Sequence, residues 1–235
     1  MTQEQILSNL TRGSLFQGSP NSTYGRMLFD RKIEDYGNQT DRTRKEINYH
    51  YHNGEDIGIS VRSTVAGVIG STVKIHCRTE DGNVNDSYED LLEEHGEAKN
   101  FEITERWDID DGLRNIVAFL TLQGGIIVRE HFNTTWKIPY RLEILGVDKI
   151  NATKNDREKR IKNGIQTDKY GRVTGIHLYD DETPSNNLTA SSTLYTMENM
   201  TYYIDTWASL SQYTAVSRFV TILQTLDGMS QYTMA

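Results

Sequence analysis

Cysteine is nearly absent. Cys77 stands alone among 235 residues, which excludes an internal disulfide and any multi-cysteine metal site and suits a reducing, intracellular origin. No apolar run approaches the roughly 20 residues that cross a bilayer. The start, Met1-Thr2-Gln3-Glu4-Gln5-Ile6-Leu7, lacks the basic flank and apolar stretch of a signal peptide. The eight Asn-x-Ser/Thr triplets, at Asn9, Asn21, Asn38, Asn85, Asn133, Asn151, Asn187 and Asn199, therefore read as composition rather than as glycosylation sites. A surplus of positive charge is missing too. The net charge of −8 argues against a protein that grips nucleic acid and leaves open one that surrounds it. Also missing are a Gly-rich phosphate loop ending in Lys-Ser/Thr, a Gly-x-Ser-x-Gly elbow and a His-Glu-x-x-His pair. Their absence sets catalysis low among the expectations, and no cofactor is implied.

With 36% hydrophobic and 25% charged residues, the chain reads as a polar, globular protein of one domain or two small ones. Residues 1–40, rich in Asn, Ser, Thr, Gly and Gln, read as an arm, poorly ordered or bound to a partner, with a short helix near Gln3–Leu10. Residues 42–53 predict a modest helix, Ile47 and Tyr51 four apart, with Thr40 or Asp41 as its cap. Ile57, Val61, Val65, Val68 and Ile69 form one apolar helical stripe, which predicts a buried face along the whole of 57–69.

Gly70 closes that helix, and Thr72–Arg78 alternates as a strand. Glu89–Glu97 reads as a solvated helix or turn, and a helix with Asp108–Asp111 in its first turn buries Leu113, Ile116, Val117 and Leu120. Gly124-Gly125 ends it. Strands follow at Ile126–Phe132 and Tyr140–Leu145, then a hairpin of residues 163–167 and 172–179 about the turn Asp168-Lys169-Tyr170-Gly171. Residues 181–201 read as loop, and Phe219, Ile222, Leu223 and Leu226 fall at helical spacing. The mixture predicts an α+β fold, helices packed on mixed or antiparallel strands and hairpins.

Several clusters invite chemistry and have plainer readings. His50 and His52, two apart on a helix, do not share a face, so they read as solvent histidines rather than metal ligands. Cys77 and His76 alternate across a strand, so Cys77 reads as a buried structural residue. Asp110-Asp111 and Glu93-Glu94 read as helix-start and surface charge, since Mg²⁺ sites need carboxylates converging from separate elements. One cluster reverses the sign of the chain. Lys154, Arg157, Lys159, Arg160 and Lys162 stand against Asp156 and Glu158, +3 in a chain whose remainder carries −11 (−8 minus +3). It reads either as a solvated loop or as a contact for DNA or for an acidic neighbouring subunit.

The order of these pieces resembles the lambda-type family of tailed-bacteriophage portal proteins. The passage Arg42-Thr43-Arg44-Lys45 through Val65–Val73, with Gly70, is similar to the family's basic helix, "valdtlvdnvVGtG" helix end and strand. Arg106-Trp107, Asp110–Leu113 and Gly125–His131 resemble its tryptophan, acidic helix start and "dGe" strand entry, with Gly125-Ile126 where the family has glutamate. Leu142–Leu145 with Asp148-Lys149-Ile150 resembles a strand and "pDrl". The closest likeness is Asn163–His177 to "nGvevDeyGrpvayh", carrying Gly164, Asp168 and Gly171. Gln212–Phe219 with Leu226-Asp227 resembles the entry to the next core helix, whereas 183–213 departs from the pattern.

Family members run to about twice this length, so the resemblance implies the N-terminal half: an arm at 1–40, a wing region at 41–201 and the start of a helical core at 202–235. It also implies a structural subunit at the capsid vertex, one of a ring usually of twelve copies through which double-stranded DNA is packaged and ejected. The implied partners are further copies, the major capsid protein, the terminase large subunit, a head-tail adaptor and the DNA, with no membrane. The virion, and the bacterial cytoplasm during assembly, are the implied locations. Two other readings stand beside it: a portal fragment acting as an assembly protein without conducting DNA, and a metal-dependent nucleic-acid enzyme built on the acidic clusters.

Overall fold

The computed structural model describes residues 37–53, 55–180, 191–206 and 214–223, and the arm, the helix near Gln3–Leu10 and Leu226 lie outside them. Gly37–Arg218 forms one compact unit. Of the second unit, residues 1–36 and 219–235, the described part includes the end of a 3-10 turn, Arg218–Thr221, and the buried Leu223.

Helices come first: α1 (Gly37–Asn53), α2 (Glu55–Ile69), α3 (Gly82–Gly96), the single turn α4 (Ala98–Phe101) and α5 (Ile109–Gln123). Their ends follow local chemistry. Asp81 caps α3 by accepting from the Asn83 amide at 2.9 Å, and Asp108 caps α5 by accepting from the Asp111 amide at 2.8 Å. Gly124 ends α5 in the left-handed region, φ +75°, its N–H donating to the Leu120 carbonyl. α1 begins at Gly37, three residues before the Thr40 or Asp41 cap expected from sequence.

Two antiparallel sheets follow. The first has the order β2-β1-β7, from β1 (Gly125–Phe132), β2 (Tyr140–Gly146) and β7 (Met200–Ile204). The second has the order β3-β4-β5-β6, from β3 (Ile161–Lys162), β4 (Ile165–Thr167), β5 (Val173–Tyr179) and β6 (Ser192–Thr196). β1 is central, with Ile127 opposite Leu145 on one side and Tyr202 on the other.

The fold is α+β, and its main core gathers side chains from both sheets: Ile127 and Met200 from the first, Ile165, Ile176 and Leu178 from the second, with Val147, Ile150 and Ala215. Each fully buried isoleucine contributes about 1.5–3 kcal/mol. Ile126, also fully buried, points to the opposite face of β1 by alternation. Half-buried Tyr202 accepts through its phenol oxygen from the Ala215 amide at 3.1 Å, and desolvation of the phenol pushes its pKa up to about 12.

Four expectations change. Thr72–Arg78 pairs with no strand among the described residues; it runs between α2 and α3 without a ladder, held by side chains instead. Cys77, expected buried, is half-buried, its amide donating to Glu89. The α2 stripe is split: Ile57 and Val61 are buried, Val65 and Ile69 are half-buried, and Val68 is 65% exposed. Within 181–201, expected as loop, lie strand β6 and the first two residues of strand β7. Both are edge strands built on Thr and Tyr, residues with high β propensity whose polar groups suit a solvated edge.

Candidate functional site

The basic cluster is displayed by the second sheet. β4 and β5 form the expected hairpin, with Ile165 opposite Ile176 and a register shift at Gln166/Thr167. Asp168 builds its turn: one carboxylate oxygen accepts from the amides of Tyr170 (2.8 Å) and Arg172 (2.9 Å), and Gly171 takes φ +85°. β3 adds a short strand on the other side of β4, and the chain entering β3 carries the cations.

That entry is a closed loop. The amides of Asp156 and Ile161 each donate to the other's carbonyl, at 2.9 and 2.7 Å. Asp156 Oδ1 accepts from the amides of Glu158 and Lys159, and Arg160 sits at φ +54°. Lower down, the Gly164 amide donates to the Lys154 carbonyl at 2.8 Å, and the Asn163 amide donates to Asn155 Oδ1 at 2.9 Å. These bonds draw Lys154, the Arg157–Arg160 turn and Lys162 into one lobe. Lys154, Arg157, Lys159 and Arg160 are exposed and Lys162 is half-buried. None of the five has an ion-pair partner among the described residues.

The lobe stands on a polar base that the sequence did not announce. Asn151 is buried; its amide nitrogen donates to Ser192 Oγ at 2.9 Å, and its Oδ1 accepts from the Thr153 amide and hydroxyl. Asn133 holds Thr135 in the same way. At these two sites the Asn-x-Thr triplets are side-chain-closed turns, a signal that could have marked Asn151 as an anchor.

His177 is buried beneath, with no hydrogen-bond partner for either ring nitrogen among the described residues. Burial lowers its pKa, helped by the nearby charges of Lys154 and Lys159. A depressed value means that the folded state disfavours the proton. The stability this gives is present above the ordinary imidazole pKa of about 6.5 and is lost as pH falls through the folded value. An NMR titration of the ring should place its midpoint below 6.5; a midpoint at or above that value would remove His177 from beneath the lobe.

The other expected positions fall into two groups. Gly164 (φ +76°) and Gly125 are filled by close neighbours: a Cβ would stand 2.4 Å from the Asn151 carbonyl oxygen at the first, and 2.6 Å from the Ala215 Cβ at the second. Gly70 (φ +71°) and Gly171 need only the left-handed backbone, with open space around them. Trp107 is half-buried before α5, and Asp148 is exposed at the 3-10 turn after β2, Val147–Lys149.

The acidic pair in the first turn of α5 is used structurally. Asp110 accepts from the Val73 amide (2.8 Å) and the Thr72 hydroxyl (2.7 Å), and these bonds, the Val73 amide foremost, hold its carboxyl below the usual range. Asp111 faces Arg114 at 3.4 Å. His50 and His52 each make an edge contact with the preceding tyrosine. Among the described residues no group of three or more His, Cys, Asp or Glu side chains could hold a metal ion, and no helix is long and apolar enough to cross a membrane.

The geometry is that of an exposed basic lobe, closed by hydrogen bonds and carried by the second sheet. The hairpin that positions it is also the stretch with the closest family likeness. No curated protein matches the chain. The family whose model matches is described as phage portal protein, lambda family, over residues 34–235, which takes in every described element. The chain belongs to the lambda family of phage portal proteins.

Proposed function

We propose that the chain is a structural subunit of the portal ring, the head-tail connector at one capsid vertex through which double-stranded DNA enters during packaging and leaves at ejection. The observation that carries this reading is the family match across residues 34–235. The portal family is a structural one, and the chain's part is geometric: each copy offers two different faces to its neighbours, a head-to-tail contact that closes by rotation. Residues 41–201 would serve as the wing region, and 202–235 as the start of the helical core. The partners are further copies, the major capsid protein, the terminase large subunit during packaging, a head-tail adaptor and the DNA in transit. Lys154, Arg157, Lys159, Arg160 and Lys162 are the contact residues; Gly70, Trp107, Gly125, Asp148, Gly164, Asp168 and Gly171 hold the frame that presents them.

A gold-conjugated antibody against this chain tests the placement on intact particles of the virus that encodes it. One labelled vertex per particle is the expected image. Label spread over the shell, or none on particles in which the chain is detected by mass spectrometry after dissociation, would refute the vertex assignment.

A further inference from the structure

The first sheet ends on an open edge. Glu130 donates its amide to the Asn199 carbonyl, and Asp205 donates its amide to the Gly124 carbonyl, both at 2.9 Å. These bonds fix the parity of β7. Thr201 and Tyr203 turn their backbone groups toward β1, and Met200, Tyr202 and Ile204 turn theirs outward. The outward groups have no backbone partner among the described residues. Proteins ordinarily keep such edges apart with a lysine, a proline or a bulge. β7 reads Met200-Thr201-Tyr202-Tyr203-Ile204, without a charge or a proline, and its ladder with β1 runs without a shift.

Another stretch of the chain has the matching lack. The amides of Val73, Cys77 and Thr79 are taken by Asp110, Glu89 and Asn85. Those of Lys74, His76 and Arg78 have no partner among the described residues. The parity is that of an extended chain anchored along one side and unpaired along the other. Its side chains alternate as well, with Val73, Ile75 and Cys77 against Lys74, His76 and Arg78. Ile75 is 48% exposed, an apolar residue that nothing covers within the chain.

We propose that residues 73–78 of one copy add as a strand to the outer edge of β7 in the next copy. The inference rests on the ring reading. It supplies the head-to-tail contact of the ring, in which the segment is one surface and the strand edge the other. Backbone hydrogen bonds along an open edge provide the attraction, and the alternating side chains provide the fit. The faces of the sheet choose the direction. Met200 is buried and Tyr202 and Ile204 pack against the core, whereas Thr201 and Tyr203 are exposed. Laid parallel, His76 stands opposite Thr201, between the outward groups of Met200 and Tyr202. Lys74 then stands opposite Asn199 and Arg78 opposite Tyr203, so all three basic side chains take the exposed face. Ile75 and Cys77 fall beside Met200 and Tyr202, where apolar groups extend the core side. An antiparallel strand using the same backbone groups would set His76 opposite Tyr202 and turn the cations inward. Charge agrees with the parallel arrangement. Residues 71–79 hold Lys74, His76 and Arg78 and no carboxylate. Glu198, exposed, and Glu130, whose amide is bonded to Asn199, stand at the end that Lys74 reaches.

The test separates backbone from side chain at one position of the full chain. His76→Pro removes the open amide. His76→Ala keeps the amide and removes the ring, with its 3.5 Å contact to Glu89. H76P should raise the concentration at which rings form by roughly tenfold or more, because the Met200 carbonyl of the neighbour loses its donor. H76A should form rings as the wild type does, both variants being read by sedimentation velocity and electron microscopy. Wild-type chain that never forms rings overturns the ring reading itself. Wild-type rings with H76P assembling normally, or with H76A failing as fully as H76P, overturn the shared strand and leave the ring reading standing. A second measurement needs no substitution and holds even if H76P misfolds. In rings of isotopically mixed subunits, carbodiimide should join Lys74 to Glu198 across copies. The amides of Lys74, His76, Tyr202 and Ile204 should exchange with solvent about tenfold more slowly in rings than in the dissociated chain. Rings in which these amides gain no protection, or whose inter-copy links leave β7 out, would overturn the proposal.

Discussion

Gly164→Ala is expected to destabilise the compact unit by about 3 kcal/mol or more, a sum of two separate penalties. The residue holds φ +76°, and an L side chain in the left-handed region costs about 1–2 kcal/mol. The larger part is steric. The new Cβ would stand 2.4 Å from the Asn151 carbonyl oxygen and 3.0 Å from its carbon, backbone atoms with no rotamer by which to retreat. Asn151 cannot yield cheaply, because its own amide donates to the His177 carbonyl and its side chain holds Thr153 and Ser192.

Gly171 provides the control. Its φ is +85°, yet nothing lies within 4 Å of the site of its Cβ, so Gly171→Ala should cost only the conformational part, about 1 kcal/mol. Urea unfolding of both variants separates the two contributions. Equal losses at the two glycines would show that the loop is not packed against Asn151 as described.

Val61→Asp is the second large effect expected. Val61 is 1% exposed on α2, facing the side where α1 and α5 pack. A carboxylate there meets no partner, and burying an unpaired charge in a helix interface costs about 4 kcal/mol or forces local unfolding. The same substitution two turns on should do almost nothing to the isolated fold. Val68 is 65% exposed, and Val68→Asp should stay within about 0.5 kcal/mol. Thermal melts of the two variants decide whether the apolar stripe is buried along its whole length or only over its first two turns. Loss of stability at both positions would restore a continuous core face. Loss at neither would remove α2 from the core.

That split stripe shows where the sequence was and was not legible. Period and capping belong to the chain itself, so α2, α5, β1, β2 and the 163–179 hairpin could be read with nearly their final bounds. The hairpin turn was written in Asp168 and Gly171, whose roles are local chemistry. What period cannot say is whether an apolar side finds a covering partner within the same chain. Val68 and Ile75 carry the pattern of a core and remain exposed. Thr72–Arg78 has the alternation of a strand, but its amides are met by Asp110, Glu89 and Asn85 in place of a neighbouring strand. Strand pairing depends on what lies alongside, and α3 and α5 lie there with acidic side chains.

The reverse error occurred at 192–201. A Ser/Thr/Asn-rich text suggested a loop, although Thr, Tyr and Leu at alternating positions suit solvated edges beside β5 and β1. For the candidate site, the cations were countable in the sequence, and their convergence was not. It depends on the Asp156–Ile161 closure, on Gly164 donating to the Lys154 carbonyl, and on the buried Asn151, all contacts between residues whose types alone do not demand them.

The central claim is that copies of this chain close into a ring, and electron microscopy of the purified full gene product tests it most directly, with sedimentation velocity to establish that the rings are the species in solution. The account predicts closed rings of uniform size that dissociate as salt is raised, because exposed charge pairs are screened over a Debye length of about 8 Å at physiological ionic strength and less above it. Monomers alone at every concentration and salt, in a preparation whose melting transition shows it to be folded, would contradict it.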